Sequence, residues 1–336
     1  MDRVYAALAR VPLFGNVRRE GIEIERLGGA LTNVAYKVTT GGGTYVLRLA
    51  GEGTPDYIDR SAEEHNARVA AAAGVGAEVV YFDAKDGTMV TRFVKGATVN
   101  PWEGSIPDPG APVRAARTLG RVHGLGKVFR SRFDVFAAID GYLGLLRGLG
   151  TLLPEGYHEA RRDARAVHRA LEASPAPLVP CHNDPWPGNL LDANGRVYLI
   201  DWEYSAMNDP MWDLAGLSVE AGFGPEQDRT MMETHYGPGP SPSLYSRLEV
   251  CKALVDLHWS LWGFLRHAKG NPAEDFWSYG LQRLGRANAR MSDAGFGRHL
   301  VLLREASPTS FALRRRRADG LERRATGIPP RHPRAG

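Results

Sequence analysis

Residues 178–215, LVPCHNDPWPGNLLDANGRVYLIDWEYSAMNDPMWDLA, decide how the rest of the chain is read. His182-Asn183-Asp184 is followed by Asn189 five residues after the Asp, and by Asp201 twelve residues after that. Leu190-Leu191 and Val197-Tyr198-Leu199-Ile200 are short apolar runs split by Asp192-Ala193-Asn194-Gly195, a hairpin turn signal. Asn189 then precedes one strand and Asp201 ends the other, so both fall at one end of the hairpin. Taken singly, Asp and Asn are ordinary turn residues. Taken together, in this spacing and on a hairpin, they form a carboxylate with two oxygen ligands beside it.

A kinase catalytic loop has this order and spacing: an Asp base, an Asn metal ligand five residues on, and a second metal-binding Asp at a strand end. Phosphoryl transfer needs one group to orient the attacking hydroxyl and accept its proton. It also needs oxygen ligands that hold Mg²⁺ against nucleotide phosphates. Asp184 suits the first role, and Asn189 and Asp201 suit the second.

The chain has 336 residues, 43% of them hydrophobic and 24% charged, enough for a large core in one domain or two lobes. No apolar run is long enough to cross a membrane, and the N-terminus carries no signal-peptide pattern. Cys181 and Cys251 make neither a disulfide framework nor a zinc pattern, so a cytoplasmic setting is expected, with Cys181 as a small buried residue. The sequence pI is about 9.1. Residues 306–336 contain eight Arg against Asp319 and Glu322, a surplus of six; the formal charge of the whole is +4, which leaves −2 elsewhere. The basicity therefore belongs to an Arg- and Pro-rich tail expected to be disordered, and it argues against a nucleic-acid partner.

Short β-type runs occupy Ile24–Leu27, Ala35–Val38, Tyr45–Leu49, Val79–Phe82 and Met89–Phe93, with a helix over Asp59–Ala73. A leading helix is expected within residues 1–12. Helical stretches follow at Val113–Leu125, Ala138–Leu149, Tyr157–Ala173, Asp213–Ala221, Glu226–Tyr236, Leu244–Ala268 and Glu274–Arg290. The expected architecture is α+β and protein-kinase-like. A β-rich nucleotide-binding lobe spans residues 1–94, a mainly helical catalytic and substrate-binding lobe 95–305, and the tail 306–336.

Gly28-Gly29-Ala30-Leu31-Thr32-Asn33 joins the first two strands, and small residues there let backbone N–H groups approach phosphate oxygens. Gly28, Gly29, Thr32 and Asn33 are the candidates in this loop. Arg48 on the third strand and Glu63 on the following helix suit a cation–acid pair that holds the α- and β-phosphates. Protein kinases use Lys there; Arg stays charged and can bind phosphate through two donors. Thr91–Val94 is the expected hinge, with backbone groups near Arg92 and Val94 toward adenine.

HNDPWPGNLL…LIDWEYSAMNDPMWDLA resembles the aminoglycoside phosphotransferase superfamily. Within it, the loop 28–33, Val46–Leu49, Ile58-Asp59-Arg60 with Glu63, and Ile200–Tyr204 are most similar to the choline/ethanolamine kinase family, over about residues 20 to 290. That resemblance implies ATP and Mg²⁺ as cofactors and a small amino alcohol as acceptor. It further implies an aromatic cage of Trp259, Trp262 and Tyr279 with Tyr204, and an acidic contact from Glu220. Residues three apart on a helix share a face, so Trp259 and Trp262 can present adjacent rings. A quaternary ammonium has no N–H to donate and is held by aromatic faces and a nearby carboxylate. Taken alone, such tryptophans read as buried helix core; with Asp184, Glu220 and Tyr279 in register, the resemblance implies the cage.

Pro185-Trp186-Pro187 stands where eukaryotic choline kinases carry polar residues, and Asn208-Asp209-Pro210 with Asp213 has a form shared with bacterial aminoglycoside kinases. Asp213 is expected to tie down the catalytic loop and His123 to serve packing. Choline is the expected acceptor; ethanolamine, thiamine and an aminoglycoside are the alternatives within the same chemistry. A non-catalytic ATP-binding or interaction protein is the alternative of another class.

Overall fold

The N-terminal lobe is built on a five-stranded antiparallel sheet: β1 (Glu23–Leu27), β2 (Val34–Thr40), β3 (Gly43–Leu49), β4 (Val79–Asp83) and β5 (Thr88–Arg92), in spatial order β1-β2-β3-β5-β4. The computed structural model describes residues 1–28, 32–51, 57–98, 110–307 and 311. Alternation along β3 sends Tyr45, Leu47 and Leu49 inward, where they meet Val38, Val90 and the leading helix α1 (Asp2–Ala9) through Val4 and Leu8. Each such side chain fully removed from water contributes roughly 1.5–3 kcal/mol before entropy is counted. On the helix α2 (Arg60–Ala72), the carboxylate of Asp59 accepts the N–H groups of Ser61 and Ala62 at 2.9 and 3.0 Å, an N-cap that fixes where Glu63 emerges.

The C-terminal lobe begins with β6 (Ala97–Thr98), which pairs with β8 (Leu190–Ala193), while β9 (Arg196–Leu199) pairs with the other side of β8 to form the expected hairpin. Asn194 and Gly195 connect β8 to β9 with φ of 56° and 83°, the two left-handed residues a tight hairpin requires. β7 (Val179–Cys181) leads into the loop that carries Asp184 and pairs with β10 (Ala206–Asn208). Around these lie α3 (Ala111–His123), α4 (Val135–Gly148), α5 (Tyr157–Ala173), α6 (Pro210–Glu220), α7 (Pro225–Tyr236), α8 (Pro242–Ala268), α9 (Phe276–Ser292) and α10 (Phe296–Arg304). The helix α8 is buried along nearly its whole length and forms the lobe's spine.

The lobes share packing. Ala67, Ala70 and Val75, at the end of α2 and just after it, sit in the C-terminal core, and the Leu199 N–H donates to Val75 O at 2.8 Å. The expected strands and helices are present with shifted ends; α9 starts at Phe276, where Asp275 caps it. The sequence reading passed over β6, β7, β10 and α10. Of the expected tail, only Ala306, Ser307 and Phe311 fall among the described residues. Phe311 is 1% exposed, under the Arg247 guanidinium at 4.6 Å, so packing continues past residue 305.

Candidate active site

Asn183 takes φ of 67° and Asp201 takes φ of 61°, left-handed conformations that Asn and Asp tolerate best among residues with a side chain. Asp213, at the first turn of α6, accepts the His182 N–H at 2.8 Å and the Asn183 N–H at 2.7 Å. Asn183 is fixed further: its Nδ2 donates to Tyr204 O at 2.8 Å, its Oδ1 accepts from Asn208 Nδ2 at 2.9 Å, and its carbonyl accepts from Trp212 Nε1 at 3.2 Å. The loop bearing Asp184 is thus bonded from three sides. His123, expected to serve packing, also bonds Asp213 through Nε2 at 3.0 Å and His235 through Nδ1 at 2.7 Å.

Asp184 is half-buried, and Asn189 Nδ2 donates to its Oδ2 at 3.2 Å and to its carbonyl at 3.0 Å. Loss of solvent around the carboxyl pushes its pKa well above the usual carboxylate range. Repulsion from Glu220, Asp201 and Glu203 adds to this, and Arg283 opposes it. Such a carboxylate is a stronger base than a solvated one. The hairpin brings Asn189 beside the approach to Asp201, with Ile200 N–H donating to Asn189 O at 3.0 Å.

Glu63, Asp201 and Glu203 each offer a carboxylate oxygen within 4.8 Å of the others. Arg48 donates to Glu63 and, at 3.0 Å, to Asp201. Arg60 Nη1 donates to Glu63 at 2.6 Å and to Glu203 at 3.0 Å, and Asn33 Nδ2 reaches the same Glu203 oxygen at 2.9 Å. Burial works against the charge of Glu63, but Arg48 and Arg60 outweigh it and its pKa is lowered. Glu203 goes the other way: burial, then repulsion from Asp201, raises it to about 7 against the pull of the two arginines. Hard carboxylate oxygens clustered in this way are the donor type a divalent cation such as Mg²⁺ takes.

Of the loop candidates, Gly28 is exposed, Thr32 is half-buried and Asn33 is buried on Glu203; Gly29 lies outside the described residues. The backbone of Arg92, expected near adenine, is engaged at its amide. Its N–H donates to Glu78 O at 2.9 Å, and the Phe93 N–H donates to Thr44 O at 3.0 Å, so both amides belong to the sheet edge. Val94, the other hinge candidate, has an N–H with no acceptor among the described residues.

The acceptor candidates form a continuous edge-to-face run. Tyr204 meets Trp259 at 5.3 Å, Trp259 meets Trp262 at 5.6 Å, and Trp262 meets Tyr279 at 5.8 Å. The two tryptophans are buried, while Tyr204 and Tyr279 are partly exposed. Glycines make this packing possible. A Cβ on Gly263 would lie 2.8 Å from Tyr279 Cδ1, and one on Gly280 2.5 Å from the Phe264 ring, so only glycine lets α8 and α9 approach closely enough to bring Tyr279 against Trp262. Glu220 stands at the end of α6, and both of its oxygens accept from Arg283 Nη2, at 2.6 and 2.5 Å.

Several residues that contact the candidate site escaped the sequence reading. Glu203 follows Asp201 by two residues, and that acidic spacing was its signal. Arg283 follows Tyr279 by four residues on a helix and so shares its face. Tyr57 gave no signal. It precedes α2 in the N-terminal lobe, stacks on Tyr204 at 6.5 Å, meets Tyr142 at 6.0 Å, and accepts from Arg266 Nη1 at 3.4 Å.

Residues 23–248 match the model of the phosphotransferase enzyme family. The LicA protein of Haemophilus influenzae is 28% identical over 284 residues, which cover 82% of this chain and 81% of that protein. Among solved structures, a choline/ethanolamine kinase family protein from Mesorhizobium loti is 41% identical with a TM-score of 0.79, covering 91% of this chain and 99% of that one. The choline kinase LicA from Streptococcus pneumoniae is 26% identical with a TM-score of 0.73, covering 86% and 99%.

Proposed function

The chain belongs to the phosphotransferase enzyme family and, within it, to the choline/ethanolamine kinases, and from that premise we propose that it transfers the γ-phosphoryl group of ATP to the hydroxyl of choline. The observation that carries the choice of choline is the aromatic run Tyr204–Trp259–Trp262–Tyr279 beside Asp184 and Glu220. A trimethylammonium group spreads its charge over methyl hydrogens and is held by ring faces at about 0.5–2 kcal/mol each. Desolvation of the same wall costs it little, because it surrenders no N–H hydrogen bonds.

In this reading Asp184 accepts the hydrogen bond of the choline hydroxyl and takes its proton as the oxygen attacks the γ-phosphorus. Asn189 steadies Asp184 through Nδ2. Asn189 and Asp201, with Glu203 beside them, would hold Mg²⁺, which when bound neutralises phosphate charge. Arg48, kept on β3 by Glu63, would take the α- and β-phosphates with the loop from Gly28 to Asn33, and Val94 would bond adenine.

Kinetics of Trp259→Ala and Trp262→Ala test the acceptor assignment. Each should raise the choline KM about tenfold or more while the ATP KM stays within about twofold. Unchanged choline KM in both folded variants would contradict it.

A further inference from the structure

Arg283 engages, inside the protein, the carboxylate of Glu220. Its Nη2 donates to both oxygens of Glu220 at 2.6 and 2.5 Å, and its Nη1 reaches Asp256 Oδ1 at 3.3 Å. Its guanidinium carbon lies 4.8 Å from the centroid of the Tyr279 ring. The side chain is only 6% exposed, so the arrangement is shielded from water and salt. Asp256 is also held by Arg286 Nη2 at 2.6 Å and does not depend on Arg283 alone. The carboxylate of Glu220 and one ring of the aromatic run are therefore already engaged by a resident cation.

We infer, building on the amino-alcohol reading above, that Arg283 is a specificity-determining residue that masks Glu220 and so selects a methylated ammonium over a primary one. A primary ammonium brings three N–H donors that must be satisfied when it leaves water. With both Glu220 oxygens committed to Arg283, those donors meet rings instead of acceptors. A quaternary ammonium has no such donors and loses nothing by the masking; it still feels the negative potential of Asp184 and the ring faces. Glu220 is on this view a carboxylate held in reserve, and its partner sets which acceptors can use it.

The test compares kcat/KM for choline with kcat/KM for ethanolamine in wild type, Arg283→Gln, Arg283→Lys and the double variant Glu220→Gln/Arg283→Gln. Unmasking Glu220 in Arg283→Gln should lower the choline-to-ethanolamine ratio about tenfold, mainly through a lower ethanolamine KM. Arg283→Lys keeps a charge but loses the planar fork, and should lower the ratio about threefold; it is the deciding variant if Arg283→Gln does not fold. The double variant removes the unmasked acceptor as well and should return the ratio toward wild type, which mere loosening of the pocket would not do. Choline turnover with an unaltered ratio in Arg283→Gln, or in Arg283→Lys when it alone folds, overturns this inference and leaves the choline reading standing. Turnover of neither alcohol by wild type overturns both.

Discussion

Asp213 holds the backbone of Asn183, accepting its N–H at 2.7 Å while its second oxygen takes the His182 N–H at 2.8 Å. A buried carboxylate on α6 thereby keeps a left-handed residue in place one position before Asp184. Asp213 itself is fixed by His123, which leans on His235. Conversion of Asp213 to Asn replaces one acceptor oxygen with a donor facing an N–H group. Misplacement of a reacting group by about 1 Å can cost on the order of 100-fold. Asp213→Asn should therefore lower kcat by roughly that factor and leave the ATP KM within about threefold, as read by steady-state kinetics.

Tyr57 carries the aromatic run across the lobe boundary. Its ring is nearly parallel to that of Tyr204, at 10°, and its hydroxyl accepts from Arg266. Tyr57→Ala removes the ring that backs Tyr204 and should raise the acceptor KM about three- to tenfold, with little change in ATP affinity. Tyr57→Phe keeps the ring and should stay within about twofold of wild type. Equal defects in the two variants would place the effect in the hydroxyl and its bond to Arg266.

His258 sits among Phe133, Tyr142, Trp212 and Trp259, and burial depresses its pKa from 6.5 to about 3. The folded protein keeps the imidazole neutral where the unfolded chain would protonate it. Stability from this group is fully present above about pH 6.5 and is lost as pH falls toward 3. Between pH 7 and pH 5 the loss amounts to ~2 kcal/mol. Urea unfolding at the two pH values should show His258→Phe losing less stability than wild type by about that amount; equal losses would contradict the assignment.

The loop and hairpin that carry the candidate site were legible because their signals are local. Asp184, Asn189 and Asp201 lie within one loop and one hairpin, and the Asn194-Gly195 turn fixes the register that aligns them. The five strands of the N-terminal sheet were legible for the same reason. The rest depends on contacts between distant segments. Tyr57 meets Tyr204 from 147 residues away in sequence, and Arg283 meets Glu220 from 63. The commitment of the Arg92 amide to Glu78 follows from strand pairing that its own sequence does not reveal. The short strands β6, β7 and β10 carry too few residues for alternation to register and exist because partners lie beside them.

Asp184 is the group proposed to take the acceptor's proton. Product analysis by phosphorus NMR, with Mg-ATP and choline, tests it most directly when wild type and Asp184→Ala are run together and ATP binding is measured on both. Wild type should convert choline to its phosphate ester, one per ADP released. Asp184→Ala should bind ATP with nearly unchanged affinity and turn over about 10²- to 10⁴-fold more slowly. A folded Asp184→Ala protein that makes the ester at the wild-type rate would contradict the account.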